Sequence, residues 1–141
     1  MFEPTGEPVT YKANCHCGRV KFTVALPDIR NNKVLSCNCS ICTKNGYLLV
    51  YPKVENVKFI SGEDKLKSYR FGTATKPHKF CPECGTSILI DFSETEHPMS
   101  RAVTAVNART FVDIEDIMAD LNLHRINGKD KMQPPYKVPK F

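Results

Sequence analysis

The chain has 141 residues, enough for one domain with a real core and too few for two ordinary ones. Its 41% hydrophobic and 25% charged residues are a globular balance, and no stretch approaches the roughly 20 apolar residues of a membrane helix. The formal charge of +5 counts seven cysteines as neutral thiols; as thiolates on two zinc ions they would bring it to about +2. With the lysines scattered along the chain, nucleic-acid binding is not expected.

Residues 1–10 form an N-terminal segment containing Glu3, Pro4, Gly6, Glu7 and Pro8. It has neither the apolar run of a secretory signal nor the Arg-rich pattern of a transit peptide, so a cytoplasmic protein is expected, and a nuclear one is also compatible. Arg19 to Leu26 alternates, with Val20, Phe22, Val24 and Leu26 on one face, and predicts a strand that stops at Pro27. Gly46 to Tyr51 is an apolar run of strand length. Val57 to Ile60 and Leu66 to Phe71 flank the turn residues Ser61-Gly62-Glu63-Asp64 and predict a hairpin. Thr86 to Phe92 and Arg101 to Asn107 predict two more strands, with Pro98 in the polar loop between them. Within Asp113 to Asn122, Ile114, Ile117, Met118 and Leu121 recur at i, i+3, i+4 and i+7, which predicts one short C-terminal helix with Asp113 as its N-cap. Residues 130–141 carry Pro134, Pro135 and Pro139 and read as a surface tail. The fold class is therefore mainly β, and a single domain is expected.

The cysteines fall in three groups: Cys15-His16-Cys17-Gly18, Cys37-Asn38-Cys39-Ser40-Ile41-Cys42 and Cys81-Pro82-Glu83-Cys84-Gly85. The last has zinc-knuckle spacing but supplies only two of the four ligands that zinc takes. Cys15 and Cys17 point to the same side of an extended segment, about 7 Å apart along the backbone, and can supply the other two. Such a closed four-sulfur site is structural. Cys37, Cys39 and Cys42 give three thiolates, and a zinc site with three protein ligands is the kind that admits water or substrate. His78, His97 and His124 are the candidates for a fourth ligand that would close it; the sequence assigns none of them.

The three groups, in this order, closely resemble the glutathione-dependent formaldehyde-activating enzyme family, which includes the centromere protein V domain. The resemblance rests on Cys15 to Gly18, Cys37 to Cys42, Phe80 to Thr86, Val106 to Arg109 and Asn127-Gly128, and it spans roughly Tyr11 to Lys129, which places the zinc-binding domain over residues 11–129. It implies twisted antiparallel sheets of a zinc-binding β-fold, similar to that of methionine-R-sulfoxide reductases and of a Rab-binding zinc chaperone. It also implies two zinc ions: a structural one on Cys15, Cys17, Cys81 and Cys84, and a second on Cys37, Cys39 and Cys42. Asn38 departs from the pattern, since many members have histidine there.

The implied activity is carbon–sulfur lyase chemistry on small thiol adducts, in which glutathione and formaldehyde combine to S-hydroxymethylglutathione or the reverse. The catalytic part would fall to Cys37, Cys39 and Cys42 through their zinc. Arg19, Lys44 and Arg109 are the cations nearest the motifs that could meet glutathione's carboxylates. The alternative is a non-catalytic zinc domain that binds a protein or chromatin. Such a protein would be expected to carry an extended basic or Pro-rich arm, which this chain lacks. The sequence does not fix an oligomeric state.

Overall fold

In the computed structural model, which describes residues 3–140, the chain is mainly β. Strands β1 (Pro8–Asn14), β2 (Lys21–Pro27) and β5 (Val57–Ser61) form a three-stranded antiparallel sheet in the order β1-β2-β5. Seven further strands form the second sheet: β3 (Lys33–Cys37), β4 (Leu49–Val50), β6 (Lys67–Tyr69), β7 (His78–Phe80), β8 (Ser87–Ile90), β9 (Ala105–Asn107) and β10 (Asn122–Ile126). Its order is β10-β3-β4-β9-β8-β7-β6, with β10 parallel to β3 and the other pairs antiparallel. Three short α-helices, α1 (Ser40–Asn45), α2 (Pro98–Arg101) and α3 (Gly128–Lys131), and five single 3-10 turns lie among the described residues. None of the helices is long and apolar enough to cross a membrane.

Alternation along the strands divides the seven-stranded sheet into two apolar faces. Val34, Val50 and Val106 join the larger core with Val20, Phe22, Val24 and Leu26, so the three-stranded sheet covers that face. Their neighbours Leu35, Leu49 and Ala105 turn to the opposite face and pack in a second cluster with Cys42, Tyr47 and Ile90. The three-cysteine group therefore lies on the face away from the main core.

Several sequence expectations are corrected. Val57–Ser61 and Lys67–Tyr69 do not pair as a hairpin: β5 joins β2, and β6 joins β7 in the other sheet. Gly62 parts them. Its φ is +85°, and a Cβ there would stand 2.5 Å from the Arg19 carbonyl oxygen, so the chain turns against the β1–β2 loop. In the Gly46–Tyr51 run only Leu49–Val50 is strand, because Gly46 (φ +64°) first ends α1 in a left-handed cap. Pro98–Arg101 is helical, so the strand expected over 101–107 shortens to Ala105–Asn107.

The helix expected over Asp113–Asn122 is instead two 3-10 turns, Ile114–Asp116 and Met118–Asp120. Asp113 is left-handed (φ +61°) and makes no side-chain cap. The apolar stripe still packs inward, with Ile114 buried and Ile117, Met118 and Leu121 partly buried against the core. Spacing of i, i+3 serves a 3-10 turn as well as an α-turn over so short a stretch. The tail is exposed, and Tyr136 packs edge-on against Phe71 with ring centroids 4.8 Å apart.

Candidate metal centres

The four-sulfur cluster is built from two tight turns. Cys15 and Cys17 occupy the turn between β1 and β2, and Cys81 and Cys84 the turn between β7 and β8, so the cluster ties the two sheets together. Each turn folds on its own backbone: the Gly18 N–H donates to the Cys15 carbonyl and the Gly85 N–H to the Cys81 carbonyl. Both glycines have positive φ (+80° and +79°), a conformation that glycine adopts without strain. The sulfurs also receive polar contacts. The Val20 N–H lies 3.3 Å from Cys15 Sγ, and the Thr86 hydroxyl lies 3.2 Å from Cys84 Sγ. Burial works against the Cys84 thiolate, but hydrogen bonds from Thr86, Cys17 and Cys81 together bring the thiol down to about 5.

All four sulfurs lie within 4.8 Å of one another, with Cys15 to Cys17 at 3.6 Å and Cys17 to Cys81 at 3.7 Å. Zinc–sulfur bonds of about 2.3 Å in a tetrahedron would set neighbouring sulfurs about 3.8 Å apart. The donor set and its spacing therefore fit one tetrahedral ion.

The second cluster is built where β3 runs into α1. Cys37 ends β3, Cys39 stands at the N-cap position, and Cys42 is buried within the helix. The helix starts with the Thr43 N–H donating to the Cys39 carbonyl, and the Cys39 N–H points to Cys37 Sγ at 3.4 Å. The three sulfurs also lie within 4.8 Å of one another, and they could hold a metal ion. Their charges are strongly linked. A hydrogen bond from Cys42 leads the effects that bring Cys39 down to about 5. The same contact, burial, and the nearby Cys39 and Cys37 push Cys42 up. Three thiolates so close together oppose one another's ionisation, and a dication is what relieves that opposition. Among the described residues, His78, His97 and His124 do not join these sulfurs in a donor group.

A cleft of about 460 Å³ opens beside this cluster. Cys37 and Cys42 form part of its wall, together with Ser36, Tyr47, Arg109 and Arg125. Of the cations singled out in the sequence, Arg109 lines this cleft, where its Nε donates to the Gly46 carbonyl at 2.7 Å. Its position is set by the buried Asn107, whose Oδ1 accepts from the Arg109 N–H while its Nδ2 donates to the Ser87 carbonyl. Lys44 lines a different cleft of about 430 Å³, with His78, Lys79 and Tyr69. Arg19 lines neither cleft; it lies in the β1–β2 loop against Gly62. Sequence reasoning missed Arg125. It sits on β10, opposite Ser36 of β3 in the parallel pair, and no local motif marks it.

The whole stretch holding the seven cysteines, residues 10–122, matches the glutathione-dependent formaldehyde-activating enzyme family. The chain belongs to this family. A crystal structure of a Rhodobacter sphaeroides protein is also similar, with a TM-score of 0.61 and 24% identity over 89% of this chain and 99% of that one. That likeness shows a common fold. Within the family match lie both sulfur clusters together with Tyr47 and Arg109, whereas Arg125 and the turn after it lie beyond its end.

Proposed function

We propose that the chain is a zinc-dependent enzyme of the carbon–sulfur lyase type that joins glutathione to formaldehyde, or splits the adduct, in the cleft beside Cys37 and Cys42. Cys15, Cys17, Cys81 and Cys84 hold a structural zinc, and Cys37, Cys39 and Cys42 hold a second. The observation that carries this reading is the pairing of three clustered sulfurs with a cleft that two arginines line.

A free thiol has a pKa of about 8.5 and is mostly protonated at neutral pH. Zinc at the three-sulfur cluster supplies a Lewis acid that favours the thiolate form of a substrate sulfur. The chain's own residues bind and orient. Arg109, anchored on Gly46, and Arg125 offer two guanidinium groups suited to the two carboxylates of glutathione. Tyr47 is buried, and that burial leads the effects that raise its hydroxyl above the usual range, so it remains a neutral phenol in the wall. In the reaction, the glutathione sulfur forms a bond to the aldehyde carbon and the carbonyl π pair moves to oxygen. The proton lost by the thiol ends on that oxygen. Nothing is oxidised or reduced, so no redox partner is required.

The test is exchange spectroscopy with 13C-labelled formaldehyde and glutathione. The zinc-loaded protein should speed adduct exchange above the uncatalysed rate, and Cys42→Ser should not. Equal rates with and without wild-type protein would remove the enzyme reading.

A further inference from the structure

The turn that follows β10 closes on the three-sulfur cluster from a distant part of the chain. A Cβ at Gly128 would stand 2.5 Å from Cys37 Sγ and 3.1 Å from Cys39 Cβ, so only glycine fits without displacing a donor sulfur or its support. Gly128 is buried, and it begins α3 behind Asn127, whose Oδ1 accepts from the Asp130 N–H. Asn38, between Cys37 and Cys39, uses both ends of its amide on the same turn. Its Oδ1 accepts from the Lys129 N–H at 2.9 Å, and its Nδ2 donates to Asn127 Oδ1 at 3.1 Å. Its backbone N–H donates to the Ile126 carbonyl at 3.0 Å, which carries the parallel β3–β10 pairing one step further. Three hydrogen bonds and one van der Waals contact thus join a two-cysteine loop to the last turn of the fold.

We propose that Asn38, Asn127 and Gly128 form a positioning clamp for the three-sulfur centre. The clamp fixes Cys37 Sγ against the Gly128 backbone and sets how firmly the centre keeps its metal. Asn38 and Gly128 are positioning residues; neither offers a group to the metal or to the substrate sulfur. The proposal rests on the reading that Cys37, Cys39 and Cys42 hold zinc. Without the clamp, the Cys37–Cys39 loop keeps its sulfurs and loses the backing that orients them. Hydrogen-bonded support of this kind around a metal ligand is commonly worth about tenfold to a hundredfold in metal affinity.

The experiment follows zinc release from the fully loaded chain to a chromophoric chelator, with cobalt substitution as the second readout. Wild-type protein should release zinc in two phases, and Cys42→Ser should lack the phase of the three-sulfur centre. Asn38→Ala should speed that phase about tenfold or more and leave the four-sulfur phase unchanged. Gly128→Ala should do the same and also shift the d–d bands of cobalt bound there, because Cys37 Sγ is displaced. If either of these variants fails to fold, Asn38→Asp serves, since it keeps the acceptor for the Lys129 N–H and turns the bond to Asn127 Oδ1 into a repulsive contact between two oxygens. It should release zinc faster than wild type. Release and cobalt spectra identical to wild type in every folded variant would overturn the clamp. A wild-type chain that takes metal only at the four-sulfur cluster would overturn the underlying zinc reading, and the clamp with it.

Discussion

Tyr47 Oη lies 3.1 Å from His78 Nδ1 in a buried hydrogen bond, and this pair separates the two clefts of the molecule. Tyr47 lines both, while His78 lines only the cleft away from the three-sulfur cluster. His78 does not join the three-sulfur donor group: its Nδ1 is bonded to Tyr47, and its ring packs against Phe71, with centroids 5.4 Å apart.

The pair predicts a pH dependence. Burial first, and then the charge of Lys76, lowers His78 to about 4. The unfolded chain, with histidine near 6.5, binds the proton more readily than the folded one between these values. Stability therefore falls as pH drops from about 6.5 to about 4, by on the order of 3 kcal/mol, and the loss levels off below that. His78→Asn should remove this part of the slope. Urea unfolding of both proteins at several pH values checks it, because cysteine protonation contributes equally to each. Parallel slopes would show that His78 does not titrate as described.

Gly62→Ala should be strongly destabilising. The new methyl would meet the Arg19 carbonyl oxygen at 2.5 Å and the Val20 Cα at 2.9 Å, in a backbone conformation (φ +85°) that alanine resists. Left-handed strain and forced overpacking together suggest a loss of about 2–4 kcal/mol. Denaturant midpoints measure it directly, and a change below about 0.5 kcal/mol would mean that the loop relaxes freely.

The two sulfur clusters should differ in what they stabilise. The four-sulfur cluster joins the two sheets, whereas the three-sulfur cluster lies on one face of the larger sheet. Cys84→Ser should therefore cost at least about 3 kcal/mol, roughly 10 °C in melting temperature. Cys39→Ser should cost clearly less. A reversed order would argue that the structural role belongs to the other cluster.

Arg109 and Arg125 should each matter for glutathione binding. Loss of one charge-assisted hydrogen bond from either arginine to a carboxylate should raise KM for glutathione about tenfold, with kcat little changed. Steady-state kinetics of Arg109→Ala and Arg125→Ala are the check, and Lys44→Ala, in the other cleft, is the control. An effect at Lys44 without one at the arginines would move the substrate to the second cleft.

The clusters were legible in the sequence because the cysteine spacing within each turn is local. Cys15/Cys17 and Cys81/Cys84 each sit in a tight turn with a glycine immediately after the second sulfur, and chemistry alone pairs such turns. β2 was equally plain, since Phe22, Val24 and Leu26 alternate and are buried. What stayed hidden depends on distant pairing. β10 reads as polar, with only His124 and Ile126 partly covered, so its parallel partnership with β3 leaves no pattern in the chain. Arg125 and the approach of Gly128 to Cys37 follow from that partnership. The stripe at Ile114, Ile117, Met118 and Leu121 marked the inward face correctly, but it could not tell an α-turn from a 3-10 turn, which the left-handed Asp113 decides.

The most direct test of the central claim is metal analysis of wild type and Cys39→Ser, with glutathione titrated into each by calorimetry. The account predicts two zinc ions per wild-type chain, one of which is lost in the variant together with glutathione binding. Glutathione binding that persists unchanged in a variant holding a single zinc would contradict it.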